Sequence, residues 1–307
     1  MVNRTVLTAR GAADTAQLAR ALPGHAVREF TDLRDVPPEA AKTAEVIVLR
    51  SGLRLGRSEL GALPSLRHVI RAGSGLDGID TGLLAERGIS VHRNPGASAP
   101  AVGEWCLTAL LSLARRIPLG ARGIDRGEHL KAACMSSVPV STMNVAVWGA
   151  GPVGRACADA LAPHVAHTVF AARPSIGQDL AQMPAEDLPG WADAHVVAVP
   201  HTIANTALVS TDFLRDSAAR KPLLIVVGRL ATVDITACLR ALDTGLLSGL
   251  AVDPVEASDI HHFPSGPKPV NLLVTPHIGA QRGDVRERLD AWVTETARAL
   301  LTGKGPG

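Results

Sequence analysis

Short apolar segments rich in valine and isoleucine recur along the chain, and stretches long enough to form a helix separate them. This alternation is typical of parallel sheets built from strand–helix–strand units. The pattern predicts strands at residues 46–49, 68–71, 89–91, 144–148, 168–170, 196–199, 223–227, 249–252 and 272–274. These strands fall into two groups, so we expect an α/β protein with more than one sheet.

Two longer stretches predict helices that connect the groups. Residues 101–117 are largely apolar and end near Arg115 and Arg116, cations that suit the negative end of a helix. This helix is predicted to be buried and to mark the first crossing between domains. Residues 284–302 alternate charged and apolar positions near helical spacing, and we expect this helix to return to the first domain. Residues 258–269 are predicted to form an exposed loop.

Composition and charge exclude several classes of function. The 307 residues suffice for about two domains, each with its own core. The 31 lysines and arginines against 29 aspartates and glutamates leave a net charge of +2, so we expect neither a nucleic-acid partner nor a membrane partner. The four cysteines are far apart, which predicts reduced thiols in a cytoplasmic protein and no metal site. The N-terminus lacks the apolar core of a signal peptide, and no window is long enough to span a membrane.

A glycine-rich turn leaves one predicted strand and opens a predicted helix. Its pattern places Gly149 at the tight turn, Gly151 where backbone approaches a pyrophosphate, and Gly154 where helix and strand pack closely. Pro152 and Val153 complete the turn at the helix N-terminus, whose free N–H groups favour an anion. The motif predicts a dinucleotide site; the alternative is a glycine-rich turn without a ligand.

The end of the next predicted strand bears on the choice of cofactor. NAD sites carry an acidic residue there for the ribose 2′-hydroxyl, and this chain has none. Arg173 offers a bidentate fork to a 2′-phosphate, and Ser175 is a further donor. The sequence therefore favours NADP over NAD. Alternatively, Arg173 is a solvated charge in a loop and the protein does not discriminate.

Two further strand ends carry polar groups, Arg229 and His277. Open α/β sheets present their chemistry at such positions. Reduction of a keto acid suits this pair, because a guanidinium holds the carboxylate and polarises the carbonyl while an imidazolium protonates the developing alkoxide. Taken alone, each residue is more often structural.

These motifs, in this order and spacing, resemble the D-isomer-specific 2-hydroxyacid dehydrogenases nearly from end to end. The segments that carry the resemblance, besides the glycine-rich turn, are residues 46–52, 70–80, 94–104 and 275–279. The first two look most like the phosphoglycerate dehydrogenase branch, where the matching segments line the substrate side. Residues 275–279 (Thr-Pro-His-Ile-Gly) resemble the catalytic-histidine motif of the family.

The resemblance implies two Rossmann-like, doubly wound parallel-sheet domains with a cleft between them, where catalysis takes place. Residues 1–99 and 283–307 would form a discontinuous substrate-binding domain, and residues 100–282 a dinucleotide-binding domain. Because members of this family are commonly dimers through the cofactor domain, we expect a homodimer; helix 101–117 is either the dimer surface or a core helix. The chain ends at Gly307, so we expect no C-terminal regulatory domains.

The resemblance also implies roles for individual residues. His277 would be the acid/base, and Arg229 would bind the carboxylate and carbonyl of the substrate. Asp253 and Pro200 are expected at the cofactor, Asp253 near its nicotinamide end. The substrate-binding residues implied by the resemblance are Arg50, Ser51, Arg71, Ser74 and Gly75.

The chain departs from the family pattern at two places. Val226 and Leu230 replace the asparagine and glycine that flank the family's catalytic arginine. Ser258 stands where the family has a glutamate that pairs with the histidine. A carboxylate beside an imidazole favours the protonated ring and fixes its tautomer. Asp259 is the predicted replacement; Glu256, or no carboxylate, are the alternatives.

We therefore expect hydride transfer between a nicotinamide cofactor and a small 2-oxo or D-2-hydroxy acid. Two other functions stay open. The displaced glutamate and Leu230 are compatible with a dinucleotide-sensing regulatory or scaffold protein on the same fold. A third possibility is a dehydrogenase of a small anion such as formate or phosphite.

Overall fold

The computed structural model describes residues 4–50, 52–73, 75–76, 78–173, 177, 179–263 and 270–303. The chain divides into two compact units, the terminal unit (residues 1–98 and 282–307) and the central unit (residues 99–281). Each boundary lies one residue from the predicted one. Each unit is built on one parallel sheet.

The secondary structure alternates strand and helix through most of the chain. The strands are β1 (Thr5–Ala9), β2 (Ala26–Phe30), β3 (Ala44–Leu49), β4 (His68–Arg71), β5 (Ser90–Arg93), β6 (Asn144–Trp148), β7 (His167–Ala171), β8 (Gln182–Met183), β9 (Ala194–Val197), β10 (Leu223–Val226), β11 (Gly249–Val252) and β12 (Leu272–Val274). The α-helices are α1 (Thr15–Ala21), α2 (Pro38–Lys42), α3 (Arg57–Gly61), α4 (Thr81–Glu86), α5 (Ala99–Ala114), α6 (Ile117–Ile124), α7 (Pro152–Leu161), α8 (Leu188–Trp191), α9 (Thr211–Asp216), α10 (Ile235–Asp243) and α11 (Gly283–Thr302). Short 3-10 helices occupy Leu33–Asp35, Ala133–Ser136, Val140–Thr142, Ile203–Asn205, Leu230–Thr232 and Ala257–His262.

Both sheets are doubly wound. The terminal sheet has the order β2-β1-β3-β4-β5, and the central sheet has the order β12-β11-β10-β9-β6-β7-β8. The order in which successive strands are added to the sheet reverses between β1 and β3 and between β6 and β9; such switch points are where these folds place their ligands. The predicted fold class, an α/β protein with two doubly wound parallel sheets, is confirmed.

Burial on both faces explains why the strands read as continuous apolar segments. Every residue of β6 after Asn144, and every residue of β9, β10 and β11, is buried, as expected for parallel strands covered by helices. The apolar pattern did not predict β1, β2 or β8. Threonines interrupt the buried β1, β2 is an edge strand that exposes Arg28 and Glu29, and β8 has two residues.

The C-terminal helix α11 packs on the terminal unit. Val293, Ala297 and Leu301 are buried in its core. The carboxylate of Asp290 accepts a hydrogen bond from the backbone N–H of Asp14, the N-cap of α1, at 3.0 Å, and one from Arg286 at 2.7 Å. Through Asp290, the end of the chain is joined to the first helix.

The helix predicted at residues 101–117 begins two residues earlier, at Ala99, and ends three residues earlier, at Ala114. Helix α5 ends at Ala114, and Arg116 adopts a left-handed conformation (φ 54°) before α6 begins. Most apolar residues of α5 belong to the core of the central unit, whereas Leu111 and Ile117 are 41% and 57% exposed. Among the described residues, no helix has the length and apolar character needed to cross a membrane.

A histidine lies in the core of the central unit. His195 on β9 is fully buried, and its Nδ1 accepts a hydrogen bond from Trp148 Nε1 at 3.2 Å. The proton of the neutral ring is therefore on Nε2, which has no hydrogen-bond partner within the described part of the chain. Desolvation by burial lowers the pKa of His195 from 6.5 to about 3.

This pKa predicts a loss of stability in acid. The unfolded chain binds a proton near pH 6.5 and the folded chain only near pH 3, so stability present above pH 6.5 is lost as the pH falls towards 3. For this group the free energy of unfolding should be about 2 kcal/mol lower at pH 5 than at pH 7. Urea unfolding of the wild type and of His195→Asn, which keeps an acceptor for Trp148 but cannot titrate, isolates this contribution.

The exposed loop residue His201 gives the matched control. His201→Asn should keep the pH dependence of the wild type. If His195→Asn also keeps that dependence, the buried histidine does not cause it.

Candidate functional site

The glycine-rich turn lies at the end of β6, at the switch point of the central sheet. Gly149 has a φ of +113°, which L side chains rarely adopt. A Cβ on Gly154 would lie 1.8 Å from the carbonyl oxygen of Gly149. Both positions therefore require glycine, and the backbone between them is left open to a ligand.

The N-terminus of α7 follows this turn, and its first N–H groups have no hydrogen-bond partner among the described residues. Gly151 is the N-cap and Pro152, the first helical residue, has no N–H group. The first hydrogen bond of the helix runs from the N–H of Arg155 to the oxygen of Gly151. The N–H groups of Val153 and Gly154 are left for an anion, together with the positive end of the helix dipole.

The chain after β7 carries Arg173, which is exposed. Among the described residues, no carboxylate is paired with its guanidinium. Ser175, the second predicted donor, lies outside the described residues. Arg155 on α7 donates through Nε to the oxygen of Ala150 at 2.9 Å and brings a second cation to this edge.

The loops after β9 and β10 lie next to the turn, because β9 is the neighbour of β6. Pro200 is exposed, and its carbonyl oxygen accepts a hydrogen bond from the side-chain amide of Asn205 at 2.6 Å. A Cβ on Gly228 would lie 2.4 Å from the oxygen of Val199, so the two loops are closely packed.

Arg229 follows Gly228 in extended conformation and is half-buried. Its Nη1 donates to the oxygen of Gly228 at 2.8 Å, and its own carbonyl oxygen accepts from the hydroxyl of Thr232 at 2.6 Å. The two departures from the family pattern around it are apolar. Val226 is buried in β10, and Leu230 packs against the apolar core.

Asp253 follows β11 and is buried. One carboxylate oxygen accepts hydrogen bonds from the hydroxyl of Thr275 at 2.6 Å and from the N–H of Ile278 at 2.8 Å. The other accepts from the N–H of Gly279 at 2.8 Å. Both oxygens are thus engaged with the segment 275–279, so the carboxylate predicted near the cofactor holds the loop that carries His277.

The same interactions orient His277. Its backbone N–H donates to the carbonyl oxygen of Asp253 at 2.7 Å, and the residue adopts a left-handed conformation (φ 55°). Its ring nitrogen Nδ1 lies 2.8 Å from Oε1 of Glu256. Nδ1 therefore carries a proton donated to the carboxylate, and Nε2 has no partner among the described residues.

The carboxylate beside His277 is that of Glu256 and not, as predicted, that of Asp259. Pro254 and Pro276 form a bridge between the loops after β11 and β12, so Glu256 emerges opposite His277. The 3-10 helix that begins at Ala257 turns Asp259 back, and its carboxylate caps the N–H of Glu256 at 3.0 Å. The sequence analysis gave Glu256 as an alternative partner for His277, but only the pairing of the two loops distinguishes it from Asp259.

The residues predicted for substrate binding lie at the carboxyl ends of β3 and β4 in the terminal unit. Arg50 is exposed, and its Nε donates to the oxygen of Arg10 at 2.7 Å. Arg71 is only 4% exposed, and its Nη1 donates to the oxygen of Ala72 at 2.9 Å. Its guanidinium thus supports the loop after β4, which includes Gly75. Ser51 and Ser74 lie outside the described residues.

Within the described ranges, no group of three or more histidine, cysteine, aspartate or glutamate side chains is arranged to hold a metal ion. Cys106, Cys157 and Cys238 are buried and Cys134 is half-buried, all as free thiols.

Comparison with known proteins identifies the family. Residues 107–279, more than half of the chain, match the model for the NAD binding domain of D-isomer specific 2-hydroxyacid dehydrogenases. The chain belongs to this family.

Individual relatives agree with this assignment. The chain is 29% identical over 286 residues to the D-3-phosphoglycerate dehydrogenase of Mycobacterium tuberculosis (strain ATCC 25618 / H37Rv), covering 88% of this chain and 52% of that protein. It thus spans about half the length of that relative. It is 25% identical over 295 residues to the glyoxylate reductase of Pyrococcus horikoshii, covering 91% of this chain and 88% of the relative. Among solved structures, the D-lactate dehydrogenase of Aquifex aeolicus, in complex with NAD and lactic acid, has the same fold, with a TM-score of 0.83, 21% identity and coverage of 97% and 96% of the two chains.

The three hydrogen bonds that the carboxylate of Asp253 accepts lead to a prediction about stability. Asp253→Asn replaces one acceptor oxygen by an amide that faces an N–H or hydroxyl donor. The free energy of unfolding should fall by roughly 1.5–3 kcal/mol, the range for hydrogen bonds to a charged group. Urea unfolding measures this change.

Asp212→Asn, at an exposed position on α9, is the control and should change stability by less than about 0.5 kcal/mol. Equal stability of the two variants would show that the carboxylate of Asp253 does not hold the loop.

Proposed function

We propose that this protein is an NAD(P)-dependent oxidoreductase that transfers hydride between a nicotinamide cofactor and a small 2-oxo or D-2-hydroxy acid. One observation carries the proposal. A histidine paired with a carboxylate, a half-buried arginine and a glycine-rich turn all lie at the carboxyl edge of one parallel sheet. Membership of the 2-hydroxyacid dehydrogenase family supports the same activity.

The residues of the central unit fit a dinucleotide. The unpaired N–H groups of Val153 and Gly154 suit a pyrophosphate, and a Cβ on Gly154 would already clash with the turn. We assign Gly149, Gly151, Pro152, Val153 and Gly154 to the pyrophosphate, and Pro200 to the adjoining wall. When bound, a reduced nicotinamide supplies hydride to a carbonyl carbon.

His277 is the proposed acid/base. Because Nδ1 donates to Glu256, the tautomer is fixed and Nε2 is the ring nitrogen left for the substrate oxygen. In reduction, the protonated ring gives its Nε2 proton to the oxygen as negative charge develops there. Glu256 acts through His277 by accepting the Nδ1 proton and holding the ring, and Asp259 acts through Glu256 by capping its backbone N–H.

Arg229 is the proposed partner of the substrate carboxylate and carbonyl. Its backbone is held by Thr232, and its guanidinium is positioned by the hydrogen bond from Nη1 to the oxygen of Gly228. A planar guanidinium binds a carboxylate bidentately and stabilises negative charge on a neighbouring oxygen. This chemistry suits a compact acid such as glyoxylate or hydroxypyruvate.

NADP is the proposed cofactor. Arg173 is exposed at the position where an NAD site would have a carboxylate, and no acidic side chain in the described part of the chain neutralises it. A 2′-phosphate would gain a charge-assisted hydrogen bond there and would meet no repulsion.

The alternative of a dinucleotide sensor loses one of its two supports. It rested on the displaced glutamate and on Leu230, and Glu256 supplies a carboxylate at His277. Oxidation of formate to carbon dioxide transfers only a hydride and uses no acid or base, whereas oxidation of phosphite must deprotonate a water, so the paired histidine disfavours formate alone. The homodimer stays a prediction, which the mass of the protein in solution tests.

Activity with both cofactors tests the function and the cofactor preference together. The consumption of NADPH and of NADH is followed by absorbance with each member of a panel of 2-oxo acids. Formate and phosphite are tested in the opposite direction, with NADP⁺. We expect turnover of a 2-oxo acid, faster with NADPH than with NADH. Arg173→Ala should raise the KM for NADPH about tenfold or more and leave that for NADH nearly unchanged, because only NADPH loses an ion pair.

Tight cofactor binding without turnover of any acid would point to the sensor instead. An equal change in both KM values would mean that Arg173 does not contact the 2′-phosphate.

If His277 is the acid/base, substitutions at the histidine should lower kcat and leave cofactor binding nearly unchanged. His277→Ala should lower kcat by about 10²–10⁴-fold, the range for general acid–base catalysis, with little change in the cofactor Kd. Glu256→Gln should lower kcat by at least tenfold without raising KM, because it acts on the proton donor and not on the substrate. Steady-state kinetics and fluorescence titration of NADPH measure the two effects.

Ser258→Ala, at the position of the family's glutamate, is the matched control and should be close to the wild type. A loss of cofactor affinity equal to the loss of turnover in His277→Ala would refute the role of His277.

A further inference from the structure

A cavity lies at the end of the central sheet opposite the glycine-rich turn, where the strands begin. It opens where β6 and β10 begin, beside Asn144 and Leu223, and has a volume of about 340 Å³. Ligand pockets for small molecules have volumes of about 300–1,000 Å³. Since the strands run four or five residues from this edge to the glycine-rich turn, roughly 13–17 Å separate the cavity from the proposed catalytic groups.

Three cations line this cavity, and one of them is already compensated. Nη1 of Arg220 lies 3.6 Å from Oδ1 of Asp193, and its other nitrogens donate to the oxygen of Trp191. The second oxygen of Asp193 accepts from the N–H of Asn144 at 2.9 Å. The pair of Arg220 and Asp193 therefore stabilises the beginning of β6, and its charges cancel, so it adds no net charge to the cavity.

The other two cations, Arg116 and Lys221, are uncompensated. In the part of the chain that the structure describes, neither is paired with an acidic side chain. Both line the same cavity, and both are non-glycine residues in the left-handed conformation, with φ of 54° and 49°. Lys221 also precedes Pro222, and a following proline favours extended conformations. Strained backbone of this kind clusters where a side chain must be presented to a ligand.

The rest of the lining suits an organic anion. Ser136, Thr142 and Ser248 add hydroxyl groups, while apolar side chains form much of the remaining wall. The apolar lining residues are Leu113, Ala114, Val138, Pro139, Met143 and Leu223. Two uncompensated cations attract an anionic group, and the apolar wall can bury a hydrocarbon part.

We propose that this cavity binds a small organic anion, with its phosphate or carboxylate group between Arg116 and Lys221 and its apolar part against Val138 and Met143. The site lies away from the proposed chemistry, and the segment between α5 and β6 forms one of its walls. The proposal rests on the cavity and its charges and is independent of the proposed function.

Calorimetric titration of the full chain with phenyl phosphate, benzoate and inorganic phosphate, at saturating NADPH, tests this site. Phenyl phosphate or benzoate should bind saturably at one site per chain, more tightly than inorganic phosphate. Arg116→Asn and Lys221→Asn should each weaken this binding tenfold or more, because asparagine tolerates the left-handed conformation but carries no charge.

Two variants are matched controls. Ala207→Asn changes a third left-handed position (φ 49°) away from the cavity, and Lys131→Asn removes an exposed cation that does not line it. Both should bind like the wild type.

Tighter binding of phenyl phosphate identifies a phosphate ligand, and tighter binding of benzoate identifies a carboxylate ligand.

Three results would overturn the proposal: absence of saturable binding, equal binding by the Arg116 and Lys221 variants, or binding that Arg173→Ala abolishes. If the cavity variants do not fold, acetylation of Lys221 in the wild type, followed by mass spectrometry, gives the answer. The bound anion should slow acetylation of Lys221 and leave that of Lys131 unchanged; equal acetylation with and without the anion contradicts the site.

Discussion

The carboxylate of Asp253 is the interaction on which the proposed catalytic groups depend. It is buried at the end of β11 and accepts three hydrogen bonds from segment 275–279. A buried charge is costly unless hydrogen bonds compensate it, and here the donors belong to the segment that carries His277. The left-handed conformation of His277 is held by the hydrogen bond from its backbone N–H to Asp253, and the ring of the same residue contacts Glu256.

The parallel sheet explains why residues distant in sequence meet at one edge. Each strand of the central sheet runs in the same direction, so the turn after β6 and the loops after β9, β10, β11 and β12 all emerge on the same side. The switch point between β6 and β9 lies beside Gly149, and open α/β sheets place their ligands at such points. The amino edge of the same sheet carries a different chemistry, in which Arg116 and Lys221 face a cavity without acidic partners among the described residues.

Glu256 shows how a family pattern can be preserved in space while it changes in sequence. The family's glutamate position is Ser258 here, yet a carboxylate oxygen lies 2.8 Å from Nδ1 of His277. The bridge between Pro254 and Pro276 brings the loops together two residues earlier, and Asp259 caps the backbone of Glu256. The chemistry requires a carboxylate at the ring and does not prescribe from which position of the loop it comes.

The sequence by itself determined the α/β class, most of the strands and the glycine-rich turn, because these depend on local pattern. Parallel strands buried on both faces are apolar throughout, and the turn at Gly149 and Gly154 admits no other residue. The sequence also identified His277 and Arg229 as strand-end residues. Strands with mixed or short patterns, such as β1, β2 and β8, were not predictable in this way.

Only the tertiary structure decided which of these side chains meet. Glu256 and Asp259 are three residues apart and carry the same group, and the choice between them follows from how the loops after β11 and β12 pair. Arg71 is a similar case: its guanidinium is buried and donates to the loop after β4, although its sequence context equally allowed an exposed guanidinium. Local pattern fixes where a strand ends, whereas the direction of a side chain in a loop depends on hydrogen bonds to segments far away in the chain.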